Sequence, residues 1–313
     1  MKKKIAISIG DLNGIGIQLA LENHDTVSQT VSPMYCIDKI MLEQAAKKLG
    51  LTIPDDFQTI ENIAPYFEIE AGVVSKESGA YAYGSFVKAV ELAKEKEVDA
   101  ICTLPINKKA WEVAGINYKG HTDALRDFFD AEAIMMLGCP QMYVALFTEH
   151  IPLREVASSI NEEDLTRFLI DFYHTAKPTS TVAVLGLNPH AGDNGVLGDE
   201  EKIIQEAIDS ANLTINPNYC RGEDTPTYSD PLVPDVAFTP NVRKNYTHYI
   251  AMYHDQGLAP LKALYFDEGI NVSLNLPILR TSVDHGTAFD IAYKRIELNN
   301  LSYLNAIKYI REN

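Results

Sequence analysis

Three of the eight histidines follow short apolar runs that are typical of buried β-strands. His150 ends MYVALFTEH, His190 ends VAVLGLNPH, and His254 stands in YIAMYHD. A lone histidine is more often a packed or surface residue than a ligand. In α/β proteins, however, ligands bind at the carboxyl ends of strands, and three imidazoles leave positions on a divalent ion open for a substrate. We therefore predict one catalytic metal site, which only the fold can assemble from histidines 40 and 64 residues apart.

Cationic and hydroxyl side chains suited to phosphate occur in three further motifs. GHTD places His121 and Thr122 before a helical stretch, YHDQGLAPLK places Lys262 after His254, and Arg280 ends the apolar run of LPILR. A guanidinium fork and a helix amino terminus both bind phosphate. The ordinary alternatives are an N-cap Thr122 beside a solvated histidine, and a surface ion pair for Arg280. Asp255 is a candidate for orienting the His254 ring.

Two loops lie where a strand is predicted to meet a helix. GDLNGIG (residues 10–16) resembles a phosphate-cradling loop, but its glycine spacing fits neither the dinucleotide nor the P-loop pattern. A tight turn is an equally good interpretation, because glycine serves both purposes. In TLPINKK (residues 103–109), Asn107 is predicted to cap the helix that follows.

Composition limits the possible partners. The 313 residues include 27 basic and 43 acidic side chains, a net charge of −16, so the overall field repels nucleic acid and anionic membranes. The sequence has no apolar run long enough to span a membrane and no signal peptide pattern. Four scattered cysteines, without a CxxC pair, indicate reduced thiols in a cytoplasmic protein: Cys36, Cys102, Cys139 and Cys220.

Strand-like and helix-like stretches alternate along almost the whole chain. IAISIG precedes a helical stretch from Gly14, and the apolar stripe of AYGSFVKAVELAKEK precedes the strand-like DAICTL. This rhythm predicts an α/β fold with a largely parallel sheet covered by helices, and the chain length predicts two lobes. The polar, proline-rich stretch 216–234 is predicted to be a long surface loop.

Six motifs, in this order, resemble the 4-hydroxythreonine-4-phosphate dehydrogenase family of vitamin B6 biosynthesis. They are GDLNGIG, LPINKK, GHTD, GLNPHAGDNG, YHDQGLAPLK and LPILRTSVDHGTAFDIA, and together they cover the chain from about residue 5 to residue 292. HGTAFDIA also resembles the cofactor loop of isopropylmalate and isocitrate dehydrogenases, whose fold this family shares. The resemblance implies a two-lobed α/β/α fold with the active site in the interlobe cleft. Residues 1–130 plus 276–313 would form one lobe, and residues 131–275 would form a middle lobe with the metal ligands and the dimer contacts.

The resemblance also implies a reaction. The family uses NAD or NADP and one divalent metal ion, which could be zinc, magnesium or cobalt, and it forms a homodimer with shared active sites. It oxidises 4-phosphooxy-L-threonine to 2-amino-3-oxo-4-phosphooxybutanoate. Decarboxylation then gives 3-amino-2-oxopropyl phosphate, a precursor of pyridoxal 5'-phosphate.

Family roles transfer to this chain only where its motifs match. The metal ligands correspond to the three strand-end histidines, His150, His190 and His254. The substrate contacts correspond to His121, Thr122, Lys262, Asn271 and Arg280. The cofactor loop corresponds to His285, Gly286 and Thr287, and the candidates for catalytic proton transfer are Lys262 and Asp235.

The chain departs from the usual family motifs at several positions, and these keep other functions open. It has GDLNGIGIQ for GDPAGIGPE, GHTD for GHTE and LNLP for LGLP, so Leu12, Asn13, Asp123 and Asn275 differ near the implied pocket. A paralogue that oxidises a related phosphorylated acid, such as a four-carbon sugar-acid 4-phosphate, remains an alternative. A metal-dependent hydrolase or lyase is less favoured, because the chain has no HExxH motif and such an enzyme gives HGTAFDIA no role. A metabolite-binding protein without catalysis is the third alternative.

Overall fold

The computed structural model describes residues 2–61, 64–222 and 224–313. The strands, in chain order, are β1 (Lys4–Ser8), β2 (Ser32–Cys36), β3 (Thr59–Ile60), β4 (Ala100–Thr103), β5 (Ile134–Cys139), β6 (Met142–Leu146), β7 (Ala183–Val184), β8 (His248–Ala251), β9 (Ile270–Leu274) and β10 (Leu279–Val283). The helices are α1 (Gly16–Thr30), α2 (Lys39–Leu49), α3 (Lys76–Lys94), α4 (Lys108–Val113), α5 (His121–Phe129), α6 (Leu153–Ser159), α7 (Glu162–Ala176), α8 (Glu200–Ile215), α9 (Pro234–Ala237), α10 (Pro240–Arg243), α11 (His254–Tyr265) and α12 (Leu301–Glu312).

The chain divides into two compact units. Unit 1 contains residues 1–131 and 267–313, and unit 2 contains residues 132–266. The predicted division placed residues 267–275 with the middle of the chain instead. They group with unit 1 because β9 pairs antiparallel with β10, with Ser273 opposite Arg280.

Unit 1 is built on strands in the order β3-β2-β1-β4-β10-β9. All these neighbours are parallel except β9 and β10. Helices connect the parallel strands, as parallel pairing requires, and β4 is buried along its whole length. One apolar core cluster contains Ala6, Cys36, Ala82, Phe86, Ala89, Val90, Leu92, Ala93, Val98, Ile101, Trp111, Ala124 and Leu125.

Unit 2 is built on strands in the order β5-β6-β8-β7. β5 and β6 form an antiparallel hairpin, whereas β6, β8 and β7 run parallel. The carboxyl ends of the three parallel strands therefore point the same way. Its core cluster contains Met135, Leu137, Met142, Val144, Leu146, Ala183, Leu185, Ala237, Tyr249, Ala251, Leu258 and Leu261. The predicted α/β class and its largely parallel sheet are confirmed.

Two local features predicted from the sequence, the glycine-rich turn after β1 and the helix cap at Asn107, are also present. GDLNGIG connects β1 to α1, and Gly10 has φ +71°, with its Cα so close to the Pro105 carbonyl that a Cβ would lie 2.3 Å from the oxygen. Asn107 caps α4 by accepting a hydrogen bond of 3.0 Å from the Ala110 amide. Among the described residues, every helix is too short or too polar to cross a membrane. The four cysteines, all described, form no disulfide.

Candidate active site

A fully enclosed guanidinium lies at the centre of unit 1. Arg280, on β10, is only 2% exposed. Its Nε and Nη2 donate to Thr103 Oγ1 at 3.1 and 2.5 Å, and its Nη1 donates to Asn271 Oδ1 at 3.4 Å and Ser273 Oγ at 3.3 Å. Among the residues that the structure describes, every acceptor that it meets is neutral. Burial lowers the pKa of Arg280 to about 10, so the side chain keeps its charge at neutral pH.

Sheet register explains why these side chains meet. Ser273 is opposite Arg280 across the β9/β10 pair, and Asn271 lies two residues away on the same face of β9. On the other side, β10 pairs in parallel with β4, where Ile101 is opposite Arg280 and Thr103 is two residues further along the strand, so Thr103 accepts from Arg280 diagonally. The result is a buried cation surrounded by hydroxyl and amide groups, and such a cation is stabilised by an anionic ligand.

His121 starts helix α5 within the same unit. Gly120 is the N-cap, so the predicted alternative of Thr122 as the cap is wrong. His121 packs edge-on against Phe86 and Trp111, and its buried Nε2 has no hydrogen-bond partner. Thr122 Oγ1 lies 3.4 Å from Ser273 Oγ, which joins the start of α5 to the surroundings of Arg280.

The charge of His121 differs from the sequence interpretation, which counted it among the cations. Burial first, and then the charges of Arg280 and Lys108, hold the pKa of His121 well below its usual value. The imidazole is therefore neutral at pH 7 and acts by hydrogen bonding. The net charge of this group of residues comes from Arg280 with Lys108 nearby, not from the histidine.

The predicted cofactor loop follows β10 directly. His285 Nδ1 lies 3.1 Å from the Gly286 carbonyl oxygen, while His285 Nε2 is buried without a hydrogen-bond partner. Gly286 is exposed, and a Cβ added there would meet nothing within 4 Å. Thr287 is buried, and its carbonyl accepts a hydrogen bond from the Ile15 amide at 3.1 Å. An unsatisfied ring nitrogen beside an open glycine fits a loop that binds a ligand.

In unit 2, each of the three histidines follows the carboxyl end of a parallel strand, as predicted. His150 lies after β6, His190 after β7, and His254 begins α11 directly after β8. Gln256 connects two of these strand ends: its Oε1 accepts from the Met252 amide at 2.7 Å, and its Nε2 donates to the Gly186 carbonyl at 2.7 Å.

His150 and His254 are neighbours. Their ring centroids are 5.5 Å apart and their planes are inclined by 45°. The His254 Nδ1 lies 2.7 Å from Asp255 Oδ1, so the predicted orienting role of Asp255 has the required contact. This contact leaves Nε2 as the nitrogen available to a ligand.

His190 stands in an unusual turn, residues 190–194, which we call the His190 turn. All five residues have positive φ, from 44° at Asp193 to 77° at Gly192. A left-handed backbone costs roughly 1–2 kcal/mol for each residue that has a Cβ, so contacts elsewhere must stabilise the turn. Glu201 supplies them at its base, because its Oε1 accepts from the amides of Leu187 and Asn188 at 2.9 and 2.7 Å.

The described residues fit a divalent metal only in part. Across residues 2–61, 64–222 and 224–313, no group of three or more histidine, cysteine, aspartate or glutamate side chains is arranged to hold an ion. His150 and His254 fit as two ligands of one ion, whereas the third predicted ligand, His190, is not assembled with them. The three-imidazole site therefore stays a prediction.

The two proton-transfer candidates also lie in unit 2. Lys262 is in the last turn of α11, with Nζ 5.7 Å from the centre of the Phe266 ring. Asp235 is exposed in the short helix α9, which packs against the His190 turn. Their positions leave both roles as predictions.

A family model described as "Pyridoxal phosphate biosynthetic protein PdxA" matches residues 29–310. The chain belongs to the PdxA family. This match confirms the family that the six motifs predicted, and it extends beyond their last residue into α12.

Other PdxA-family proteins match almost the whole chain. A 4-hydroxythreonine-4-phosphate dehydrogenase of Sulfurimonas denitrificans is 57% identical over 307 residues, covering 98% of this chain and 96% of the relative. The crystal structure of a protein of the same name from Burkholderia phymatum has a TM-score of 0.80 and 31% identity, covering 100% of this chain and 98% of that one. A β-decarboxylating dehydrogenase from Thermococcus kodakarensis has a TM-score of 0.50 at 13% identity and supports the fold alone. The predicted enzyme class, an oxidoreductase, agrees with these relatives.

Two residues that accept hydrogen bonds from Arg280, Thr103 and Ser273, were not among the site residues predicted from the sequence of this PdxA protein. Thr103 belongs to a motif that was considered only as a helix start. Ser273 alternates with Asn271 in NVSLN, and this period of two would have placed both on one face of β9. Nothing in the sequence indicates that β4 lies beside β10, so only the fold identifies Thr103.

Proposed function

We propose that this protein is a 4-hydroxythreonine-4-phosphate dehydrogenase of pyridoxal 5'-phosphate biosynthesis. Its substrate would be 4-phosphooxy-L-threonine, and its first product would be 2-amino-3-oxo-4-phosphooxybutanoate. The observation that supports a phosphorylated substrate most directly is the enclosed Arg280, whose acceptors among the described residues are neutral. A buried cation without an acidic partner is costly, and a phosphate group would neutralise it.

The phosphate would be bound by the residues around Arg280. The guanidinium would donate its remaining Nη2 hydrogen to one phosphate oxygen, and it would exchange one of its long Nη1 bonds, to Asn271 or Ser273, for a second phosphate oxygen. Thr122 would donate a third hydrogen bond from the first turn of α5. His121 Nε2 has no hydrogen-bond partner, and because its ring is neutral it can donate from one nitrogen only. Asn271 would turn its amide nitrogen toward the ligand while its oxygen stays with Arg280.

The cofactor would be NAD or NADP, held by the loop of His285, Gly286 and Thr287. When bound, the nicotinamide would accept the hydride that leaves C3 of the substrate. The protein's contribution is positional: Gly286 lets the ligand approach the backbone closely, and His285 Nε2 offers an unsatisfied polar atom. Thr287 anchors the loop through its bond to Ile15.

One divalent ion, zinc, magnesium or cobalt, would bind at His150 and His254, with His190 as the third ligand after the His190 turn moves. When bound, the ion would lower the pKa of the C3 hydroxyl and so favour its oxidation. The proposal rests on the proximity of the first two rings and on the position of all three after parallel strands. Asp255 would fix the His254 tautomer.

The oxidised product is a β-keto acid, and such acids lose carbon dioxide readily. Cleavage of the bond to the carboxylate would release carbon dioxide and leave an enolate, and uptake of one proton at carbon would give 3-amino-2-oxopropyl phosphate. We assign Lys262 and Asp235 as the candidates that would deliver protons or receive them in these steps. Both have ionisable side chains in unit 2, the unit that contains the histidines.

The enzyme would work as a cytoplasmic homodimer with shared active sites. Large apolar side chains are exposed beside the site residues of unit 2: Ile151 and Leu153 follow His150, and Val236 follows Asp235. In this proposal, these exposed apolar side chains are the candidate contacts for the second subunit. Sedimentation equilibrium of the purified protein would test the dimer, and a monomer at micromolar concentration would contradict it.

The decisive experiment is a steady-state assay of the purified chain at the absorbance band of reduced nicotinamide. Each assay would contain NAD or NADP, one of the three ions, and 4-phosphooxy-L-threonine, with 4-hydroxy-L-threonine as the phosphate-free control. We expect turnover of the phosphorylated compound and at least a hundredfold lower kcat/KM for the control. Turnover of a four-carbon sugar-acid 4-phosphate instead would identify the paralogue, whereas phosphate release without nicotinamide reduction would indicate the hydrolase.

A further inference from the structure

The GDLNGIG loop has a role in unit 1 that the reaction above does not explain. Asn13, in this loop, is completely buried. Its Nδ2 donates to the Val73 carbonyl at 2.8 Å, and its Oδ1 accepts from the Glu70 amide at 2.9 Å. Its backbone carbonyl also accepts from the Gly72 amide at 2.8 Å. One residue thus holds residues 69–74, which we call the strap, through three hydrogen bonds.

The strap in turn packs against Phe289, two residues after the cofactor loop. A Cβ on Gly72 would lie 2.6 Å from the Phe289 carbonyl oxygen, which shows how closely the two backbones approach. The GDLNGIG loop makes the same kind of contact, because a Cβ on Gly14 would lie 2.8 Å from the Thr287 carbonyl oxygen. In addition, Tyr293 donates to the Leu12 carbonyl at 2.7 Å.

Asn13 therefore joins the GDLNGIG loop to the strap, and these two segments approach the backbone at Thr287 and Phe289. Asn13 is fixed itself, since its amide donates to Asp11 Oδ1 at 2.9 Å and the Asp11 Oδ2 accepts from Ser78 Oγ at 3.3 Å. The strap lacks helix or strand hydrogen bonding over residues 69–74. Asn13 bonds its middle and its end, whereas Gln44 accepts from the Ile69 amide at its start.

We propose that Asn13 is a positioning residue for the nicotinamide cofactor. By clamping the strap onto residues 285–289, it keeps the loop in the shape that leaves Gly286 open and His285 Nε2 unpaired. Asn13 does not touch the ligand itself. This inference rests on the proposed function, in which residues 285–287 bind NAD or NADP.

The test uses binding of NADH and NADPH to the full chain, followed by nicotinamide fluorescence. Asn13→Ala is expected to raise the Kd of the preferred cofactor about tenfold or more. The matched control is Asn212→Ala in unit 2. Asn212 is also buried and also bonds an amide and a carbonyl of another segment, both of Tyr228, at 3.0 and 3.2 Å. It should lose similar stability yet change the Kd by less than about twofold.

If Asn13→Ala folds poorly, a second variant and a measurement on the unaltered protein still test the proposal. Gly72→Ala would push the strap away from Phe289 without altering Asn13, and it should raise the Kd in the same direction. In hydrogen exchange of the unaltered chain, NADH should protect residues 69–74 together with residues 285–289.

The outcomes separate the two proposals. If the unaltered chain binds neither NADH nor NADPH, the proposed cofactor is wrong. If it binds one of them while Asn13→Ala has an unchanged Kd, or if the ligand protects residues 285–289 but not the strap, the positioning role of Asn13 is overturned and the proposed function stands.

Discussion

The two units of this protein present their candidate site residues in opposite ways. In unit 1, Arg280 is buried, and each of its three N–H-bearing nitrogens meets a neutral acceptor on a neighbouring strand. In unit 2, the histidines lie on strand-end loops, where His150 and His190 are exposed and only His150 and His254 are close together. One set is built into a sheet, and the other depends on loops.

This difference follows from where each set is anchored. Strand register places Ser273 opposite Arg280 and Asn271 two residues away on the same face, so the site is formed without a ligand. The His190 turn has a left-handed backbone and is anchored mainly at its base by Glu201. Strained loops of this kind are typical of sites that rearrange when a ligand binds. We therefore expect unit 1 to behave as a rigid site and unit 2 as an adaptable one.

The largest effect should come from removing the enclosed charge in unit 1. Arg280→Met is expected to lower kcat/KM for 4-phosphooxy-L-threonine about a thousandfold, equivalent to about 4 kcal/mol, because the phosphate loses its buried partner. The free energy of unfolding should not fall, since an uncompensated buried cation is also removed. Arg311→Met, at an exposed ion pair with Glu312, is the control. An equal loss for the phosphate-free substrate would show that Arg280 does not bind the phosphate.

The pH dependence of the free energy of unfolding tests whether the loop that contains Asp11, in unit 1, is rigid and keeps this carboxyl buried. Burial raises the pKa of Asp11 from 3.8 to about 6, with hydrogen bonds from Asn13 and Ser78 opposing the shift. The folded state thus binds a proton that the unfolded state releases, so this group lowers the free energy of unfolding as pH rises from about 4 to about 6, by about 3 kcal/mol in total. Asp11→Asn should remove that fall, as measured by urea unfolding between pH 4 and 7.5.

The control for this measurement is Asp55→Asn, at an exposed carboxylate. His121 contributes a pH dependence of the opposite sign, because its lowered pKa costs stability as pH falls below about 6.5. The difference between Asp11→Asn and the unaltered chain isolates Asp11. A difference that does not change with pH would mean that the carboxyl is solvated and the loop mobile.

Metal affinity should distinguish the histidines that are already close together, His150 and His254, from His190, which would have to move to bind the ion. His254→Ala is expected to raise the Kd of Zn²⁺ or Co²⁺ at least about thirtyfold, or roughly 2 kcal/mol, measured by competition with a coloured chelator. His190→Ala should have a smaller effect, because the energy needed to rearrange the His190 turn offsets part of its contribution. His174→Ala, at an exposed histidine on α7, should have none. Equal effects of the first two variants would indicate a preformed three-histidine site.

The smallest expected effect concerns Thr103, whose hydroxyl accepts from two Arg280 nitrogens. Thr103→Val keeps the shape but leaves both donors unsatisfied, so the KM for the phosphorylated substrate should rise about tenfold, or about 1.4 kcal/mol, with kcat changed less. Thr103→Ser restores the hydroxyl and should stay within about twofold of the unaltered protein. If both variants resemble the unaltered enzyme, the hydrogen bonds to Thr103 do not position Arg280.

Sequence patterns predicted the strands and helices better than they predicted which residues surround each side chain. The apolar runs before His150, His190 and His254 do precede those residues as strands β6, β7 and β8, and the helix cap at Asn107 is present. The predictions that failed concern the local environment of individual side chains. His121 was expected to be a cation, but burial beside Arg280 keeps it neutral, and Thr122 was weighed as an N-cap that proved to be Gly120. Burial and proximity depend on residues far away in the chain.

The sequence alone therefore determined the family, the α/β class and the chemical types of the site residues, because motifs and hydrophobic periodicity are local properties of the chain. Tertiary structure decided which of those side chains meet. It placed Thr103 beside Arg280, left that charge without an acid among the described residues, joined the strap to Asn13, and brought His150 to His254 but not to His190. The physical reason is that strand order, register and loop conformation set these distances, and none of them is encoded in the spacing of residues along the chain.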